Sequence, residues 1–155
     1  MSSPPLTTDT LPRVAKRARV RTWQRLGILY ARIALGAAFL SAVASRFGLL
    51  GNTNKFAEFT RYTAEVNSFM PAFTIPFLAW AATVAESFFG VALILGWWPR
   101  RVALGSALLL ALFGTAMAIS FGIKSPLDYS VFSASAGALL LALLPGPAVL
   151  ESEDS

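Results

Sequence analysis

The chain has 155 residues, 55% of them hydrophobic and only 14% charged, with thirteen basic against eight acidic side chains. Its mean hydropathy is +0.61, whereas soluble domains carry about 25% charged and about 45–50% apolar residues; a water-soluble fold of this length cannot hide so much apolar surface, so one membrane domain is expected. Cysteine and histidine are absent, which excludes disulfides and thiol chemistry, and also haem, zinc or iron–sulfur sites built on such ligands from this chain.

Residues 1–12, MSSPPLTTDTLP, are polar and rich in Pro, Ser and Thr, and are expected to form a disordered tail. Residues 13–25 form a polybasic juxtamembrane stretch closed by Trp23, so that 1–25 reads as a cytoplasmic tail. A secretory signal peptide is not expected: the apolar run that follows is too long, and no small-residue cleavage site precedes a polar mature domain.

The first span is predicted over residues 26–45, where about twenty residues at 1.5 Å each match a hydrocarbon core of about 30 Å. In the loop that follows, Phe56, Phe59, Val66 and Phe69 recur at helical spacing with Thr63 between them. Glu58, Arg61 and Glu65 take the opposite face, Arg61 and Glu65 as an i,i+4 pair. Asn52 or Thr53 is the candidate cap and Pro71 follows the end. This is a short amphipathic helix, either lying in the membrane interface or packed over the mouth of the bundle.

Further spans are predicted over 74–97, 102–122 and 129–144, the second and third joined by a tight turn at Pro99. The fourth is near the lower limit for a crossing. The membrane domain thus runs over 26–145, followed by an acidic tail, 146–155. Trp23, Trp97, Trp98 and Tyr129 fall at span ends, as an aromatic belt places them. The expected fold is all-α, an integral membrane four-helix bundle with a short amphipathic helix after span one.

Eight lysines and arginines lie before span one or in the turn after span two, and four (Arg46, Lys55, Arg61, Lys124) lie in the other loops. The positive-inside rule therefore places both termini in the cytoplasm. The net charge of +5 is a topology signal, and nucleic acid is not an expected partner.

Two ionisable residues lie inside spans, Arg32 and Glu86, and neither should face lipid, where a charge costs about 2.5–3.5 kcal/mol on insertion scales. Measured from Arg25 and Trp97, both sit on the cytoplasmic side at depths of roughly 10 and 16 Å, so a buried Arg32–Glu86 pair is expected. It serves either as a clamp between helices or as a binding or proton-handling element. A second polar cluster, Arg46, Asp128, Tyr129 and Ser130, is expected near the outer surface. There Asp128 is read first as an N-cap of span four and second as part of a site, with Arg46 as its counter-ion. Ser133 and Gly137, and Ser130, Ala134 and Ala138, form small-residue rows suited to close helix packing. Phe39, Phe88, Phe89, Phe113 and Phe132 are bundle contacts or the lining of a pocket for a lipophilic ring. No phosphate loop, metal-ligand spacing, nucleophile elbow or repeat is found.

The stretches ARIALGAAFLSAVASRFGLLG (31–51), ATVAESFFGVALILGWWPRRVAL (82–104) and GIKSPLDYSVFSASAGALLLA (122–142) resemble the DoxX family of small bacterial membrane proteins. Glu86, Gly90, Gly96, Arg100 and Arg101 form the most recognisable piece. The resemblance implies a four-helix protein of the bacterial inner membrane, with Arg32 and Glu86 as matching charged positions. Some relatives are subunits of quinone-linked oxidoreductases, and others associate with redox-defence enzymes. Many relatives carry a lysine or an aspartate-arginine pair where this chain has Ser45-Arg46. The function expected is a non-catalytic accessory subunit or anchor for a redox partner, with quinone as the candidate cofactor. The alternatives are a small-solute or proton transporter built on Arg32 and Glu86, acting as a homo-oligomer, and a scaffold for other membrane proteins. A stand-alone enzyme comes last.

Overall fold

The computed structural model describes residues 10–49 and 55–144, with side chains from Arg19 onward. Asn52, Thr53 and the acidic tail lie outside the described residues, as does all of the expected disordered tail before Thr10. Among the described residues six α-helices follow one another: α1 (Thr10–Arg46), α2 (Phe56–Val66), α3 (Ile75–Leu95), α4 (Pro99–Phe121), α5 (Lys124–Asp128) and α6 (Val131–Leu143), with a 3-10 turn at Ala72–Thr74. The chain divides into two compact units, Met1–Tyr30 with Pro145–Ser155, and Ala31–Leu144.

In the first unit the described part is helical from Thr10, so the end of the expected tail and the whole basic stretch belong to a helix. Between Arg13 and Leu26 there is no Gly or Pro, and Lys, Arg, Ala and Gln favour the helix by their propensities. Trp23 and Tyr30 are exposed there.

In the second unit α3, α4 and α6 are apolar. Among the described residues of the chain, three stretches are long and apolar enough to cross a membrane, Arg19–Arg46, Ala72–Leu95 and Pro99–Phe121. The predicted fourth span is shorter than expected. Ser130 adopts a left-handed conformation (φ 56°) and separates α5 from α6, which leaves α6 only 13 residues, about 20 Å of helix.

Small residues set how these helices approach. A Cβ added to Gly36 on α1 would lie 2.8 Å from the Gly90 carbonyl oxygen on α3, so the two backbones touch there, as small residues allow in lipid. Phe132 of α6 packs over Gly114 of α4, and Ser135 Oγ donates to the Ala107 carbonyl at 2.8 Å. Ala138 is fully buried, whereas Gly137 meets nothing that a Cβ would touch. Of the two small-residue rows, the one through Ala138 therefore makes the contact.

α2 packs on α3 and α4. Its Thr63 and Val66 are buried, Phe56 meets Trp80 at a tilt with ring centroids 4.7 Å apart, and Ser120 Oγ donates to the Val66 carbonyl at 2.6 Å. The helix ends at Val66, so Phe69 lies beyond its apolar stripe and is exposed. Arg61 and Glu65 remain exposed on the far face.

Candidate functional site

The crossing at Gly36 and Gly90 determines which charges meet. Arg32 lies one turn before Gly36, and Ile94 lies one turn after Gly90 on the antiparallel partner, so these two share a level. Glu86 lies one turn on the other side of the crossing, about 12 Å further along the axis. The expected Arg32–Glu86 pair is therefore not formed. Arg32 Nε donates to the Leu93 carbonyl at 2.9 Å and its Nη2 donates to the Ile94 carbonyl at 3.2 Å. Those carbonyls belong to the last turn of α3, which closes with Gly96 in the left-handed region (φ 73°). There the Gly96 N–H donates to Leu93 O and the Trp97 N–H to Ala92 O, a Schellman ending. Arg32 completes that ending, where a cation is also favoured by the helix dipole. Gly96 must stay free of a side chain, because a Cβ there would collide with the Arg32 guanidinium.

Glu86 is paired instead with Arg46, the last residue of α1. Side chains on a helix lean toward its N-terminus, so Arg46 reaches back into the bundle from the helix end. Its Nη2 lies 2.7 Å from Glu86 Oε2 and its Nη1 donates to Thr83 Oγ1 at 3.1 Å. Thr83 stands three residues before Glu86 on the same face of α3, and its own hydroxyl donates to the Ala79 carbonyl at 2.8 Å. The Phe59 ring of α2 covers the guanidinium with 3.6 Å from Cζ to the centroid, a cation–π contact worth about 2 kcal/mol when desolvated. Arg46 is 9% exposed and Glu86 4%. A pair this dry persists only because each charge balances the other.

Beside the pair a partly open cavity of about 630 Å³ lies between α2, α3 and α4, within the usual range of about 300–1,000 Å³ for small-molecule sites. Its walls are apolar, with Phe59, Val66, Phe69, Met70, Phe113 and Met117 prominent. Most polar side chains on the wall use their donors within their own helix or the turn that ends it. Thr63 donates to Phe59 O, Asn67 Nδ2 to Thr63 O, and Thr115 to Ala111 O. Tyr62 also lines it. Burial pushes that phenol's pKa above its ordinary value, and the neighbouring Tyr129 and Glu65 push it further in the same direction.

The expected outer cluster separates. Arg46 turns inward to Glu86, while Asp128 pairs with Lys124 one turn back along α5, both exposed. Asp128 therefore ends α5 rather than capping span four. Ser130 occupies the N-cap position of α6 and makes no side-chain cap hydrogen bond, and Tyr129 is exposed. Of the five phenylalanines considered, only Phe113 lines this cavity. Sequence reasoning missed the partnership of Arg46 with Glu86 and the contributions of Thr83 and Phe59. The signal that reaches them is the Gly36–Gly90 crossing, which moves Arg32 out of range and leaves Arg46 as the cation that can bend back.

Three span-length apolar helices and an all-helical second unit define a multi-pass α-helical membrane protein. The sequence model of the DoxX family matches residues 27–124, and the chain belongs to the DoxX family. That match contains Arg46, Thr83, Glu86 and every residue of the cavity wall, while α6 lies beyond it. No curated protein and no solved structure matches the chain.

Proposed function

We propose that this DoxX-family protein is a non-catalytic accessory subunit of the bacterial inner membrane, holding a lipophilic ring compound of the quinone class for a redox partner. The observation that carries this reading is the apolar cavity with a buried Arg46–Glu86 pair on its wall. Apolar walls with one fixed polar contact are what an amphipathic ring needs. With neither cysteine nor histidine in the chain, the reading assigns electron transfer to the partner and binding and orientation to this chain. The basic end of α1 and the turn carrying Arg100 and Arg101 face the cytoplasm in this reading. α6 completes a fourth crossing through a locally thinned bilayer, which brings both termini to that side. A transporter built on Arg32 and Glu86 lacks its pair, because Arg32 is engaged at the end of α3.

The test is native mass spectrometry of the tagged protein, extracted from its own membrane in mild detergent. A bound quinone mass and a defined second subunit are expected. The cavity-filling substitution Ala116→Phe should remove the quinone and leave the second subunit in place. A homo-oligomer that carries phospholipid alone would overturn the proposal.

A further inference from the structure

α3 and α4 are each long enough to cross a bilayer, so the turn that joins them lies at a membrane surface. That turn is built against its own backbone preference. Trp98 has φ 41° and ψ 60°, the left-handed region that strains any residue but glycine. Its ring packs little for that strain: Trp97 and Trp98 lie 5.2 Å apart at 32°, and both are more than half exposed. The Arg101 guanidinium stands 6.0 Å from the centroid of the Trp98 ring. Strain kept at an exposed residue points to a use outside the packing of the chain. The charge of the turn is unbalanced as well. Arg100 and Arg101 are exposed, and Arg32 brings a third guanidinium against Gly96. No Asp or Glu occurs between Glu86 and Asp128, and among the described residues neither Arg100 nor Arg101 has an ion-pair partner. The other end of the spans differs. There Lys55, Arg61 and Lys124 are matched in number by Glu58, Glu65 and Asp128, and Arg46 is paired with Glu86.

We propose that the α3–α4 turn is a binding surface for the headgroup of an anionic phospholipid of the phosphatidylglycerol class. Arg100 and Arg101 hold the phosphate, for which the planar fork of a guanidinium is suited. Trp97 and Trp98 lie at the headgroup level, where indole rings anchor a protein in the interface. A zwitterionic lipid offers the same phosphate, but its own ammonium cancels the charge, so the surplus of positive charge at the turn selects against it. None of these residues lines the cavity, and the surface works whatever the cavity holds.

The experiment is native mass spectrometry of the full chain, delipidated in detergent and titrated with equimolar phosphatidylglycerol and phosphatidylcholine of one acyl composition. Each basic residue near an anionic surface contributes about a fivefold preference, so the first lipid bound should be phosphatidylglycerol by about tenfold or more. Arg100→Gln with Arg101→Gln should lower that ratio severalfold. The control Lys55→Gln with Arg61→Gln removes the same charge at the other end and should leave the ratio unchanged. Trp98→Gly relieves the backbone and removes the ring. It should weaken phosphatidylglycerol binding while the protein unfolds in detergent at or above the wild-type temperature. Earlier unfolding of that variant would make the ring a part of the fold and remove Trp98 from the surface. Equal binding of the two lipids by the wild-type protein overturns the proposal. A ratio unchanged without Arg100 and Arg101 also overturns it, and assigns the preference to the basic stretch 13–25. An equal fall in the Lys55 and Arg61 control reduces the effect to net charge, with no site at the turn. If inorganic phosphate displaces the lipid at equal concentration, the turn reads a free anion, and the lipid assignment falls.

Discussion

Two arginines on one helix meet different fates. Arg32 sits in the middle of the apolar run, yet its guanidinium serves the backbone, donating to two carbonyls at the end of α3. Arg46 sits at the helix terminus, where an exposed charge is ordinary, yet it is the buried one, with Glu86, Thr83 and Phe59 around it. Position along a span says how far a Cα lies from the membrane surface. It does not say where a long side chain ends. Arg32 works as a structural cap, replaceable in part by any donor that reaches those carbonyls. Arg46 is tied to one carboxylate that also faces the cavity.

The largest expected effect lies at Arg46. Arg46→Met strands Glu86 as a buried charge, which typically costs about 3–5 kcal/mol. The variant should accumulate poorly in membranes by immunoblot and should unfold at a lower temperature in detergent. Adding Glu86→Gln removes the stranded charge and should restore most of the loss. If Arg46→Met alone matched the wild type in both assays, the pair would not be a buried one.

At Arg32 the expected loss is smaller. Arg32→Met gives up two hydrogen bonds, one part-buried and one exposed, and a favourable charge at a helix C-terminus, together about 1–2 kcal/mol. Arg32→Lys should recover part of it, since an ammonium supplies charge and donors without the planar fork. The quinone retained in native mass spectrometry should be unchanged in both variants, because Arg32 does not line the cavity. A larger stability loss for Arg32→Met than for Arg46→Met, or loss of the bound quinone, would invert the comparison.

The positions of α3 and α4 were legible because they depend on hydropathy and length, properties of the chain taken one segment at a time. α3 and α4 begin and end within three residues of the expected bounds, Ile75–Leu95 against 74–97 and Pro99–Phe121 against 102–122. The helical stripe of α2 was legible for the same reason, up to Val66, where the helix stops and Phe69 leaves the face. What depends on two helices at once was not legible. Depth counted from Arg25 and Trp97 assumed that both mark one membrane surface. The contact of Gly36 with Gly90 instead puts Arg32 level with Ile94 and carries Glu86 a further two turns away. The outer cluster failed in the same manner, since nothing in the spacing shows that Arg46 folds inward while Asp128 finds Lys124 on its own helix.

Lys124 and Asp128 give the smallest expected effect and the control for the other two. Both side chains are largely in solvent, 83% and 57% exposed, and an i,i+4 pair of this kind is worth about 0.3–0.5 kcal/mol. Lys124→Ala should therefore leave accumulation, unfolding temperature and the bound quinone unchanged within error. Added salt should change its unfolding temperature no more than that of the wild type, because there is so little interaction to screen. A loss as large as that of Arg32→Met would mean that Asp128 supports more than its own short helix, and the outer polar cluster would have to be rebuilt around it. A silent substitution instead leaves charge-dependent stability, among the three sites compared, to Arg32 and Arg46. Of the two, Arg46 alone lines the cavity, so Arg46→Met should lower both stability and quinone retention, whereas Arg32→Met should lower stability alone.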